Sequence, residues 1–120
     1  MTTKLEITGE RSLKFSGWIR KNLPDSSTGF VVSDLDFILC NYKGKSLMLV
    51  EVKTRNATLR NWQQILFKNL DEWIKKGIDK DWIYYGYHIV TFEKTWFDDG
   101  KCFFDKTKIT EQELISKLSL

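Results

Sequence analysis

At 120 residues, with 42% hydrophobic and 14% aromatic content, the chain holds enough apolar material for one real core and no room for a second domain. A single proline and seven glycines exclude a low-complexity chain, and a net charge of +3 permits a nucleic-acid partner without demanding one. No run approaches the roughly 18 apolar residues of a membrane span, and the polar N-terminus has no leader-like segment. One domain over 1–120, intracellular and without a membrane partner, is therefore expected.

Taken in order, Leu5 and Ile7 suggest a short edge strand. Leu13, Trp18, Ile19 and Leu23 predict an amphipathic helix over 9–23, weakened by Ser16-Gly17 and ended by Pro24. A Ser/Gly-rich loop leads into two apolar runs, 30–40 and 46–53, flanking the polar turn Asn41-Tyr42-Lys43-Gly44-Lys45-Ser46, a β-hairpin pattern. The second run is apolar on both faces, as in a strand covered on both sides. Leu59, Trp62, Leu66, Leu70 and Trp73 then predict a helix over 58–76, closed by Lys75-Lys76-Gly77. An aromatic strand over 82–92, a short strand over 102–104, and a final helix opened by the capping-box spacing Thr110…Glu113 complete an α/β (α+β) sheet with helices on both faces. Cys40 and Cys102 lack metal-ligand spacing and read as buried free thiols; His88 reads as a hydrogen-bonded structural residue.

The hairpin carries four charges that a buried strand does not ordinarily tolerate: Asp34, Asp36, Glu51 and Lys53. With the turn centred on Lys43-Gly44, Cys40 faces Leu47, Ile38 faces Leu49, Asp36 faces Glu51, and Asp34 faces Lys53. Period-two alternation then puts all four charges on one face, where the apolar neighbours Ile38, Leu47 and Leu49 speak for burial. Two opposed carboxylates suit Mg²⁺, which takes one or two carboxylates and completes its shell with water and substrate phosphate. Lys53, two residues from Glu51, is placed to orient an attacking water and to offset charge on a phosphoryl centre. A surface salt-bridge ladder accounts for Asp34 and Lys53, but leaves Asp36 and Glu51 as opposed like charges.

Asp36 before Phe37-Ile38-Leu39, a short turn, then Leu49-Val50-Glu51-Val52-Lys53 resembles the signature of the PD-(D/E)XK nuclease superfamily. The acid follows leucine where the signature nominally has proline; the literal Pro24-Asp25 sits in a loop with no apolar run behind it. The resemblance implies a restriction-endonuclease-like core, an α-β-β-β-α-β mixed sheet flanked by helices. It implies Asp36 and Glu51 as metal ligands, the Val52 carbonyl as a further ligand, and Lys53 as the catalytic lysine. Gln63-Gln64 matches the glutamine near the start of the next helix in Holliday-junction resolvases, RecB-type and VRR-type nucleases, and Glu10 loosely matches an acid on the first helix. Asp34 becomes an accessory residue, either an alternate ligand or one that holds Lys53.

Arg55 and Arg60, near the acids in sequence, are the expected phosphate contacts. The expectation is a Mg²⁺-dependent endonuclease (Mn²⁺ substituting) cutting DNA in a structure-specific or weakly sequence-specific way, as a homodimer, in the manner of small nucleases of phages and mobile elements. The alternatives are an RNA-directed nuclease on the same fold and a non-catalytic nucleic-acid-binding or assembly module.

Overall fold

The computed structural model describes residues 9–120, the side chains of residues 9–13 and of Ser26 excepted. The expected strand at Leu5 and Ile7 lies outside the described residues. The chain divides into two compact units, residues 1–33 and 34–120. In the first, α1 (Gly9–Asn22) forms over the predicted span. Phe15 and Trp18, at i,i+3 spacing, stack with ring centroids 5.7 Å apart. Arg20 and Lys21 occupy its last turn, where cations meet the negative end of the helix dipole. A single 3-10 turn, Ser26–Thr28, is held by Thr28, whose amide and hydroxyl both donate to the Asp25 carbonyl.

The second unit is a five-stranded mixed sheet in the order β1-β2-β3-β4-β5. Its strands are β1 (Phe37–Asn41), β2 (Ser46–Lys53), β3 (Ile83–Phe92), β4 (Cys102–Phe104) and β5 (Thr107–Ile109). The helix α2 (Asn61–Gly77) links β2 to β3 and α3 (Glu111–Leu118) follows β5. The β2–β3 pair is parallel and needs the helical crossover; the other pairs are antiparallel.

The hairpin register is the one expected, with Cys40 against Leu47 and Ile38 against Leu49. Its first strand is shorter than expected, however. Pairing stops at Phe37–Val50, and residues 30–36 form no strand, leaving Phe30, Val31 and Val32 exposed. The physical reason lies at Asp36, whose carboxylate takes the Val52 amide and so occupies the next rung of the ladder. Among the described residues, therefore, two strands rather than three separate α1 from α2 in the chain. Asp34 stands outside the ladder, so its opposition to Lys53 does not form as strand pairing.

Alternation along β2 divides the unit. Met48 and Val50 join Val90, Phe92, Cys102, Phe104, Ile109 and Leu114 in one buried cluster beneath α3, with Val52 and Leu118 packed at its margin. On the opposite face Leu49, Leu59 and Phe67 are buried where α2 lies over the sheet. The expectation of burial fails at Ile38, which is 65% exposed, because β1 is the outermost strand and α2 packs over β3 instead. Cys40 is exposed on that same edge strand, against expectation; Cys102 is a buried free thiol.

The helix α2 begins three residues later than predicted, where the Arg60 amide donates to Gln63 Oε1. Its apolar arc is wider than the sheet covers, so Trp62, Ile65 and Trp73 remain exposed. Thr110 and Glu113 form the expected reciprocal capping box of α3. Within β3, an irregularity at Tyr85-Gly86 lets three steps match two on β2, so that Leu47 pairs with Tyr84 and Leu49 with Tyr87. Gly86, at φ +94°, supplies the left-handed residue the bulge requires. Asp71 Oδ1 fixes it from α2, accepting from the Tyr84 hydroxyl at 2.7 Å and the Tyr87 amide at 3.1 Å. No helix among the described residues is long and apolar enough to cross a membrane.

Candidate active site

Where the hairpin ladder ends, two carboxylates replace it. Asp36, half-buried in the bend before β1, donates its amide to Glu51 Oε1 at 3.0 Å, and its Oδ2 accepts the Val52 amide at 2.9 Å. Each acid thus holds the backbone beside the other, a mutual clasp that a one-residue slip would break. Glu51 is 3% exposed, an uncommon position for a carboxylate. Its pKa is pushed up to about 7, first by burial, and further by the charge of Asp36 and a hydrogen bond with the Asp36 side chain. The Asp36 amide and Lys53 pull the other way without cancelling the shift. Lys53 Nζ lies 3.8 Å from Glu51 Oε2, too far for a tight ion pair.

A buried carboxylate left under-compensated by its protein neighbours is one that a small hard cation would neutralise. The donor chemistry fits such a cation: two adjoining carboxylates, with the remaining positions left to water and substrate oxygen. Among the described residues, no group of three or more His, Cys, Asp or Glu is placed to hold a metal on its own.

Beside this pair, on the same face, opens a cleft of about 510 Å³. Its floor is Lys53, Tyr87, Ile89 and Thr91 from β2 and β3, and Leu59 from the loop between β2 and α2. Gln64, Lys68 and Asp71, at i, i+4 and i+7 of α2, form one wall, and the Asp105-Lys106 turn between β4 and β5 forms part of the rim. Both acids of this lining are engaged. Burial would raise the pKa of Asp71, but hydrogen bonds from Tyr84, Lys75 and the Tyr87 amide hold it below the usual range. Asp105 meets His88 Nδ1 at 2.6 Å and accepts the Ile89 amide at 2.9 Å.

The structure thus brings Asp36, Glu51, Val52 and Lys53 together and separates the accessory candidates. Gln63 is used in starting α2, while Gln64, the more exposed of the two, reaches the cleft and donates its Nε2 to the Leu59 carbonyl at 3.0 Å. The inward position expected of Gln63 thus serves the cap. Arg55 and Arg60 are exposed and neither lines the cleft; Arg55 holds a left-handed backbone after β2. Glu10 falls on α1, and its side chain lies outside the described residues. Sequence reasoning missed Lys68 and Lys106. The spacing Gln64…Lys68…Asp71 was a usable signal for the first, one polar stripe at helical spacing along an amphipathic helix. His88, bonded on both ring nitrogens and stacked on Phe104, is structural, as expected.

No family model matches the chain, and no solved structure does. The chain is similar to an uncharacterized protein of Archaeoglobus fulgidus, 32% identical over 91 residues, which amount to 75% of this chain. It spans 60% of that relative's length. Its second unit is established as a mixed α+β fold whose five-stranded sheet gathers two acids and a lysine beside a cleft.

Proposed function

We propose that this chain is a metal-dependent nuclease of restriction-endonuclease-like type, hydrolysing phosphodiester bonds in DNA. The observation that carries the reading is the Asp36–Glu51 clasp with Glu51 buried, under-neutralised and flanked by Lys53. Structural acids are ordinarily buried with full compensation, because an uncompensated charge costs several kcal/mol. A buried acid left without it beside a second, half-buried one has the signature of a site whose partner arrives with substrate. Asp36 and Glu51 would hold Mg²⁺, with the Val52 carbonyl as a third donor; bound there, Mg²⁺ supplies Lewis acidity at the phosphoryl oxygens.

The chain's own residues do the rest. The clasp fixes both carboxylates on one face by backbone hydrogen bonds, so little reorganisation is needed as the reaction proceeds. Lys53 Nζ, on that face and loosely held, donates to the attacking water or to a non-bridging phosphoryl oxygen as negative charge builds there. Water adds its oxygen to phosphorus, and the leaving oxygen departs with a proton. DNA as substrate and a homodimer presenting two such sites to a duplex or junction belong to the same proposal.

The test is nicking of supercoiled plasmid and of branched DNA with Mg²⁺, Mn²⁺ or EDTA, by wild type and Lys53→Ala, with RNA as competitor. Metal-dependent cutting lost in the variant supports the reading. Cutting that prefers RNA reassigns the substrate. Folded protein that cuts nothing with either metal would move the reading to a non-catalytic binding module.

A further inference from the structure

The cleft beside the acids carries a one-sided charge. Lys53, Lys68 and Lys106 all line it, while Asp71 and Asp105, its two acids, are already held by Tyr84, Lys75, His88 and backbone amides. Neither Lys68 nor Lys106 makes an ion pair among the described residues. Lys68 projects from the wall on α2 and Lys106 from the rim opposite in chain order, so two unrelated elements deliver unspent cations to one space.

A second observation is independent of charge. The Tyr87 hydroxyl is buried yet has no hydrogen-bond partner. Burial, and then the nearby charges of Glu51, Asp36 and Asp105, push its pKa upward, so it is held as a proton donor. A buried donor without an acceptor is rare in folded proteins and calls for an explanation. Here the residue lines the cleft and adjoins the acid pair, so a ligand oxygen in the cleft becomes the acceptor once a small shift of the ring opens the buried hydroxyl to it.

A third concerns backbone. Asp105 and Lys106 have φ of +48° and +72°, the two left-handed residues of a type I′ hairpin turn. Glycine is least strained at the second of these positions, yet a lysine occupies it and reaches the cleft.

We infer that the cleft is a subsite for one nucleotide of the substrate strand, adjoining the linkage that is cut. Lys68 and Lys106 grip its phosphate, the Tyr87 hydroxyl donates to a phosphate oxygen on the side of the acids, and Leu59 and Ile89 receive the base. A volume of about 510 Å³ lies within the 300–1,000 Å³ range of small-ligand pockets. The phosphate is thereby positioned by fixed cations, and the adjoining linkage is delivered to Asp36, Glu51 and Lys53. This inference rests on the nuclease reading for the identity of the ligand, and its test is arranged to stand apart from cutting.

Binding of a short oligothymidylate, of thymidine 5′-monophosphate and of inorganic phosphate is measured in EDTA across a salt series. The proteins are wild type, Lys68→Ala/Lys106→Ala, Tyr87→Phe, and Lys94→Ala/Lys101→Ala as a control in exposed lysines away from the cleft. The cleft double variant is expected to lose about ten-fold or more in oligonucleotide affinity, and its salt dependence to fall by roughly one phosphate contact per lysine. Tyr87→Phe weakens binding with the salt slope unchanged. Lys106→Gly, which relieves the left-handed strain, raises the melting temperature while weakening binding, opposite signs that a purely structural lysine does not give.

Retention of the mononucleotide, lost in the double variant, places a single nucleotide in the cleft; binding of inorganic phosphate alone removes the base from the assignment and overturns it. Wild-type affinity and slope in the double variant, or an equal loss in the control, overturns it also. Protein that cuts plasmid but binds alike with and without the cleft lysines loses this inference alone. Protein that never cuts yet shows the lysine-dependent binding loses the nuclease reading alone.

Discussion

The two faces of β2 are built by opposite rules. Toward α3, Met48 and Val50 join a buried apolar cluster, and position is set mainly by packing. Toward α2, Leu49 is as buried as they are, but the next residue on that face, Glu51, is a carboxylate buried to nearly the same degree. One strand, with side chains alternating at period two, thus separates the residues that hold the fold from those to which the proposal assigns chemistry. Sites built on strands are positioned more rigidly than sites on loops, and here the same hydrogen bonds that complete the hairpin aim the acids. A substitution on either face should therefore injure one property and spare the other.

The largest effect expected is on the α2 face. Glu51→Gln or Lys53→Ala should lower metal-dependent cutting by on the order of 10²–10³-fold while leaving circular dichroism and melting cooperativity intact. Loss of folding in Glu51→Gln would mean the carboxylate is structural. On the α3 face, Phe104→Ala should cost about 3–5 kcal/mol in urea unfolding, since Phe104 is buried in the cluster and stacks on His88. Cutting per folded molecule should stay near wild type.

A pH experiment sharpens the contrast. The folded-state pKa of Glu51, about 7, lies above the ordinary glutamate value of 4.5. Between the two, the folded chain holds a proton that the unfolded chain has released. This group's contribution is therefore full below about 4.5 and declines as pH rises toward 7, by roughly 3 kcal/mol at most. Metal-free wild type should lose stability over that window more steeply than Glu51→Gln, and millimolar Mg²⁺ at alkaline pH should restore it in wild type only. Parallel curves for the two proteins would remove the claim that Glu51 is under-compensated. The smallest effect belongs to the α3 side: Thr110→Ala removes one half of a capping box and should cost about 1 kcal/mol, with no change in cutting.

Local signals carried much of this into the sequence. The hairpin register follows from the turn and the alternation, and Asp36 and Glu51 meet as that register requires. The capping box at Thr110 and the helices α1 and α2 are local patterns too, and local hydrogen bonding decides them. What was not legible depends on neighbours distant in the chain. Ile38 and Trp73 have the hydrophobicity of core residues, but one sits on an edge strand and the other on the uncovered arc of α2. β5 was missed because Asp105-Lys106 lacks the Asn-Gly signature of the turn it makes. The cleft lysines were missed for the same kind of reason: Lys68 and Lys106 lie 38 positions apart, and only the sheet brings them together.

Gly86 makes the strand's numbering and its geometry disagree. Tyr84 and Tyr87 share a face although they are three residues apart, because one residue is folded into the bulge. A β-branched residue at 86 would favour a straight strand of unchanged length, and every residue beyond it would change sides. Tyr87, Ile89 and Thr91 would turn into the oil, and His88, Val90 and Phe92 would turn toward the cleft. Removing Gly86 altogether straightens β3 while keeping each of those side chains where it is. Deletion should therefore melt at a higher temperature than Gly86→Val, a case in which losing a residue is gentler than replacing it.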